Sequence, residues 1–445
     1  MPLIIQIIDN YIIHLFLVHL FFGILASDYP IFVTLWGWSI IPLGATLILK
    51  YKNRYNIAGI FTSYLTGLEI ILRMADARVF WEFGKYGCII FLFLGLLVDK
   101  IKQHRISGFM VVYIVSLLPS IFILEVENFN YWRQAISFNL SGPFSLFFCF
   151  LYFRNRVFND LDLLRIFKSI LLPLISMSMI CIIRVPALDD IVFGSEANEL
   201  MSGGYGPNQV SSALGLVVTV IAVSKILGYV IFKKDIFDYT ILGICSIQAY
   251  LTLARGGVIT AALAIFTAWL ISVNRSNART LRAGKFVYVV LILISLWYVA
   301  GDFTRGKMEQ RYLSILNVDK SGTLSGSGRI LIMSIDLKIF MDNFLLGVGP
   351  GAATQLRQSY GYNKIVTAHS EFTRSLAEHG VFGLLSIFTL LALVIKEYSK
   401  RRVQEKCLLA CFSAVAILTM LHSAMRLTMP GFVFGLAFLR LRKIK

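Results

Sequence analysis

Residues 367–380, TAHSEFTRSLAEHG, bring two histidines, two glutamates and an arginine together directly before an apolar run. These residue types support two chemistries. An imidazole can take a proton from a hydroxyl, and a guanidinium can hold an anion through a fork of donors. With Thr367 as N-cap, helical spacing predicts His369, Thr373, Leu376 and Gly380 on one face. Glu371, Arg374 and Glu378 share the opposite face, where pairing three and four residues apart predicts a solvated salt-bridge stripe. His369 then falls in the first helical turn, where the positive end of the helix dipole favours the neutral ring. His379 reads as a structural histidine bonded to a carbonyl, which is also the ordinary alternative for His369.

Other cations stand at breaks between apolar runs. LTLARGGVIT (251–260) places Arg255 before two glycines, a tight outward turn that holds a charge at the membrane surface. SGSGRILIMSIDLKIF (325–340) reads as a loop opening a helix, with Ser327 as N-cap, Arg329 in the first turn and Met333, Leu337 and Phe340 as its apolar face. A helix N-terminus carrying a guanidinium suits a phosphate; the ordinary alternative is an interfacial arginine. SGGYGPNQVSSALG (202–215) enters the next run through a Gly/Pro turn, offering Asn208 and Gln209 as amide donors. Tyr205 in that turn suits packing on a sugar or anchoring at the interface. LLGVGPGAATQ (345–355) predicts a flexible turn whose glycines permit close backbone approach. Glu69 and Arg73, four apart, predict an intrahelical pair.

The elements that must position these groups follow from composition. The 445 residues are 57% hydrophobic and 15% charged, with a mean hydropathy of +0.74, which excludes a set of soluble domains. Backbone polar groups in hydrocarbon must be satisfied within helices, so the expected fold is an all-α polytopic membrane protein. It forms a single integral membrane domain over 1–445 with about 12–14 transmembrane helices. The first apolar run reads as a retained helix rather than a cleaved signal peptide. A net charge of +17 does not imply nucleic acid here, because its distribution matters more than its sum. Basic clusters at 50–54, 99–105, 154–156, 233–234, 274–285, 396–406 and 440–445 mark the cytoplasmic side and place both termini there. The segments left outside include a short loop at 185–208 and a large, partly helical loop at 301–379. The large loop carries Arg305, Arg311, Arg329, Arg357 and Arg374 against the usual charge bias, which predicts an anionic ligand at the membrane surface. Arg305 and Arg374 join Tyr205, Asn208 and Gln209 as candidate binding groups. The six cysteines lie in or beside apolar runs, so no disulfide framework is expected, and Cys407 and Cys411 read as packing residues. The external loops show no His or carboxylate cluster with metal-ligand spacing.

In order along the chain, GPN (206–208), LTLARGG (251–257), SGSGR (325–329), LLGVGPG (345–351) and AHSEFTRSLAEHGVFGLL (368–385) resemble the O-antigen ligase and polymerase superfamily, the WaaL/Wzy family. The resemblance covers the second half of the chain; the first half is similar only in hydropathy. It implies a GT-C-like glycosyltransferase of the bacterial cytoplasmic (inner) membrane with its active site facing the periplasm. The implied donor is a glycan on undecaprenyl diphosphate, and the acceptor is the lipid A core or another glycan. Neither metal nor cofactor is implied. Carried over by motif, Arg255 and Arg329 would bind the diphosphate and His369 would activate the acceptor hydroxyl. Ser370 stands where the family often has Asn. A polymerase of lipid-linked repeat units shares these donor-side motifs. A transporter or flippase is the alternative from another class, although most ionisable residues here fall at span ends rather than at bilayer midplanes.

The topology predicts that 185–208 and 301–379 face outside. Single cysteines at Ser195 and Ser321, in a background lacking the native six, are expected to react with an impermeant thiol reagent on spheroplasts. Labelling only after permeabilisation overturns the topology.

Overall fold

A computed structural model describes residues 2–99, 106–124, 128–185, 193–194, 196–273, 279–313, 327–362 and 364–442. Ser195, Ser321 and the first two residues of SGSGR lie outside the described residues. The chain is a succession of helices. The first half contributes α1 (Leu3–Asn10), α2 (Ile12–Asp28), α3 (Pro30–Tyr51), α4 (Ile57–Met74), α5 (Phe83–Val98), α6 (Gly108–Ser116), α7 (Phe129–Phe153) and α8 (Asp160–Ile183). The second half contributes α9 (Pro207–Leu227), α10 (Asp235–Leu251), α11 (Arg255–Val273), α12 (Arg279–Phe303), α13 (Lys307–Leu313), α14 (Ser327–Asp342), α15 (Ala352–Leu356), α16 (Glu371–Tyr398), α17 (Val403–Ser423) and α18 (Met429–Leu436). Val157–Phe158 and Arg440–Leu441 pair as a two-residue parallel ladder.

Among the described residues, nine helices are long and apolar enough to cross a membrane; α1 and α2, bent by 93°, make a tenth span if taken together. Two further apolar stretches, Phe83–Val98 and Gly108–Ile123, are shorter, so the described residues hold fewer full-length spans than the 12–14 expected. This is an all-α, multi-pass membrane protein. Its core helices are α4, α8 and α9, and the apolar window of α9 is buried throughout. Exposed Leu17, Phe21, Leu35, Phe266, Tyr298 and Phe388 lie on the outer helices, as hydrocarbon surroundings require. All six cysteines are free and buried.

The segment before α16 is built around one carboxylate. Asp336 on α14 has no exposed surface; it accepts from Arg357 Nε at 2.8 Å and from Thr373 Oγ1 on α16 at 2.9 Å. Arg357, equally buried, also donates to the Val366 carbonyl at 2.7 Å and accepts from Tyr362 N–H on its own carbonyl. The buried face of α14 is therefore Ile332, Ile335, Asp336 and Ile339, rather than the expected Met333, Leu337 and Phe340. The ion pair of Asp336 lies on this buried face.

The glycine-rich turn is docked, not flexible. Gly380 interrupts α16 with φ +58, and the freed groups are taken up by the turn: Val381 N–H donates to Phe344 O at 2.8 Å, while Val348 and Gly349 N–H donate to Ala377 O and Glu378 O. A Cβ on Gly347 would come within 2.4 Å of the Glu378 backbone, so the expected close approach is made here, against α16.

Arg357→Ala and Asp336→Asn each leave a buried group without its partner, which typically costs about 3–5 kcal/mol. Both variants are expected to melt well below the parent in detergent, measured by thermal unfolding. Equal melting would mean that the node does not hold the loop.

Candidate functional site

The helix carrying the opening motif begins later than the spacing suggested. Ser370, not Thr367, is the N-cap, its hydroxyl accepting from Thr373 N–H, and α16 starts at Glu371. His369 therefore sits just outside the helix, before its cap, rather than in the first turn. The ring is half-buried and makes no hydrogen bond among the described residues. Burial, and then the positive charges of Arg426, Arg329 and Arg357, lower its pKa to about 4. Such a value favours the neutral imidazole, with burial as the main cause and the neighbouring cations as the second.

The salt-bridge face is buried instead of solvated. Arg374 donates to Glu371, to Glu378 at 2.6 Å and to the side chain of Asn139 on α7 at 2.8 Å, and all three charged residues are withdrawn from solvent. Its donors hold α16 against α7, so Arg374 is not open to an incoming ligand. His379 is also buried, a structural histidine that bonds the Leu117 carbonyl as expected and has Nδ1 2.5 Å from Ser120 Oγ as well.

The remaining motifs are brought together by packing. Arg329 Nη2 donates to Asn208 Oδ1 at 2.8 Å, joining α14 to the first turn of α9 across 121 residues of sequence. Pro207 opens α9 at its N1 position, where the missing N–H is not needed. Ser211 and Ser212, one turn on, bond the Ala254 carbonyl and His422 Nε2. The N-termini of α9 and α11 thus meet. The two glycines of LARGG allow it: a Cβ on Gly256 would lie 2.2 Å from the His422 ring, and one on Gly257 would lie 2.1 Å from the Ser211 carbonyl. Arg255 is the first residue of α11; it donates to the Arg311 carbonyl at 2.7 Å, and Arg311 Nε returns a bond to the Leu253 carbonyl. Arg311 and Arg329 are lowered from the usual arginine pKa by burial and by their positive neighbours, Arg255 first among them.

Of the other binding candidates, Tyr205 is half-buried beside Arg73; burial raises the pKa of its hydroxyl and Arg73 opposes the rise. Gln209 is buried and folded back over Gly206. Arg305 is exposed on the turn between α12 and α13, without a hydrogen bond or ion pair to the arginine cluster among the described residues. Glu69 and Arg73 pair within α4 at 2.8 Å, as expected.

Sequence reasoning missed Arg426. It lies in the short segment between α17 and α18 and donates through Nη2 to Thr367 Oγ1 at 2.7 Å and to the Ala368 carbonyl at 3.0 Å, gripping the chain immediately before His369. Its Nε is buried without a partner, and no carboxylate pairs with it among the described residues. The signal was available: a lone arginine between apolar runs, the same pattern as in LARGG. His422 and the buried Lys85 were also missed. Lys85 lines a small cavity with Thr367 and Arg426. Their positions carry no local sequence signature.

Residues 240–388 match the O-antigen ligase family, Wzy_C. Every motif quoted above except GPN falls inside that span. The match covers that span alone and supports a similarity to the O-antigen ligase/polymerase superfamily there. No curated protein matches the chain.

Because burial, and then positive neighbours, disfavour imidazolium, His369 should stay neutral well below the pH at which a free imidazole protonates. Carbethoxylation of His369, followed by peptide mass mapping, is expected to hold its plateau through pH 5 and to fall near pH 4. Arg426→Ala removes one positive charge and should move that fall upward. A fall near pH 6.5 in the parent would remove the electrostatic account of this histidine.

Proposed function

We propose that the protein transfers a glycan from undecaprenyl diphosphate to an acceptor sugar at the external face of the cytoplasmic membrane, as a GT-C-like O-antigen ligase with the lipid A core as acceptor. The observation that carries this reading is the convergence of Arg255, Arg329 and Arg426 and the N-termini of α9 and α11 beside a neutral imidazole. Such a site attracts a group with several negative charges and supplies a proton acceptor next to it.

The mechanism follows from where charge develops. The acceptor oxygen forms a bond to the anomeric carbon as its proton passes to His369. The bond from that carbon to the diphosphate oxygen breaks, and its electron pair leaves with the diphosphate. Arg255 and Arg329 are held in place before the reaction, so they stabilise the departing charge without reorganising. One displacement inverts the anomeric centre. A histidine with a pKa of about 4 is by itself a weak base. The bound diphosphate offsets the charges that lower it, so donor binding itself raises the basicity of His369. Asn208 directs the Arg329 fork, and Tyr205 lies on the approach to it.

Purified protein given a lipid-linked glycan and an acceptor is expected to release undecaprenyl diphosphate and to glycosylate the acceptor. Lipid relocated unchanged across a vesicle would instead indicate a flippase. Attachment of a single repeat unit in a deletion strain would assign the polymerase reaction, and loss of all attachment the ligase.

Arg329→Lys keeps the charge but loses the fork, and losing one donor to developing negative charge typically costs on the order of 10²–10³-fold in rate. The variant is expected to reach the membrane at normal abundance and to transfer poorly. His369→Ala should lose about 10²–10⁴-fold in turnover while retaining donor binding. Near-normal transfer by Arg329→Lys at matched abundance returns that arginine to an interfacial role.

A further inference from the structure

A second chamber lies beside this centre, between the outer ends of α4 and α5. It encloses about 230 Å³ and is lined by Glu69, Arg73, Asp76, Phe80 and Trp81. That is below the roughly 300–1,000 Å³ of pockets that take drug-sized ligands. Its groups are unevenly used. Arg73, nine-tenths buried, donates through Nη2 to Glu69 and to the Trp81 carbonyl and faces the Tyr205 hydroxyl, whereas Nε and Nη1 are buried with no close hydrogen-bond partner. The Asp76 carboxylate is exposed at the rim, without an ion pair or hydrogen bond among the described residues. Trp81 presents one face to the Arg73 guanidinium at 4.5 Å and keeps an exposed surface; its indole N–H is unengaged among the described residues.

The walls are fixed in advance. Ala77 N–H closes the turn onto the Leu72 carbonyl at 2.9 Å, Arg78 N–H donates to Thr34, and Trp38 donates to the Arg78 carbonyl. Glu69 also accepts from Thr428 N–H at 2.6 Å, two residues from the arginine that grips the His369 loop. Tyr205 borders both regions.

A forked donor with free nitrogens, an unpaired carboxylate and an indole suit one class of ligand. Vicinal hydroxyls donate to a carboxylate and accept from a guanidinium, while the C–H face of a pyranose covers an aromatic ring. We infer that this chamber binds a sugar ring of the substrate, held between Asp76 and Arg73 with Trp81 as its platform. A purely interfacial Trp81 would account for the aromatic surface but not for the buried, unpartnered guanidinium nitrogens. The inference rests on the glycan-transfer reading above, and the sugar belongs either to the acceptor or to the donor glycan.

The test reads binding without turnover. Full-length protein in nanodiscs is probed by saturation-transfer NMR with glucose, galactose and N-acetylglucosamine. At least one is expected to bind, with affinity about tenfold weaker in Trp81→Ala and in Asp76→Asn and unchanged in Tyr298→Ala, an exposed aromatic elsewhere on the membrane face. Trp81→Phe should recover part of the loss. Steady-state kinetics separate the two sources. A Trp81→Ala rise in acceptor KM alone assigns the acceptor sugar; a rise in donor KM with undecaprenyl diphosphate binding unchanged assigns the donor glycan. Equal binding by parent and variants, or binding of none of the three sugars by the parent, overturns the chamber. Sugar binding here by a protein that transfers nothing would sink the transferase reading and leave the chamber standing.

Discussion

The outer end of this molecule depends on a carboxylate that has no water to turn to. Asp336 is enclosed by α14, the segment after α15 and the first turn of α16, and each gives it a donor or a packed wall. Removing an ion pair from water is expensive unless the geometry is good and the remaining lone pairs are satisfied. Here the second oxygen of Asp336 is taken by Thr373, so the node is complete. The long stretch between the apolar runs becomes a folded shelf as a result. Arg357 extends the shelf to the Val366 carbonyl, three residues before His369, and Arg426 holds the two residues between them.

The carboxylates around this region are mostly spent on structure. Asp336 takes Arg357, Glu371 and Glu378 take Arg374, and Glu69 takes Arg73. Arg329 and Arg426 are left to amides, hydroxyls and carbonyls, which orient a guanidinium without neutralising it. That division separates the rigid frame from the charged centre, and it explains how several arginines can crowd one region while the helices around them remain closely packed.

How much of this was legible depended on range. Apolar runs reported the helices because their length and composition are local properties, and Glu69 with Arg73 was legible because four residues make one helical turn. The convergence of Arg329 with Asn208 was not, since nothing within either segment encodes a partner 121 positions away. Only the shared polar character of interrupted apolar runs hinted at it. The start of α16 was misjudged by three residues because Thr367 and Ser370 are both good caps, and the choice between them was made by Arg426, which draws Thr367 out of the helix. The face of α14 was misjudged because a buried ion pair looks polar in sequence and apolar in packing.

The break at Gly380 has a mechanical meaning. Upstream of it, residues 371–379 are tied to α7 and α14; downstream, exposed Leu385, Phe388 and Ile395 meet hydrocarbon. A Cβ on Gly383 would strike the Ser375 carbonyl at 1.9 Å, so the chain folds tightly through the bend. Membrane spans tilt as bilayers thicken or thin. In an unbroken helix that tilt would be levered directly onto His369. A joint at Gly380, bridged by the Phe344 carbonyl, lets the lower half lean while the upper half stays seated, so the His369 end is insulated from the thickness of the lipid around it.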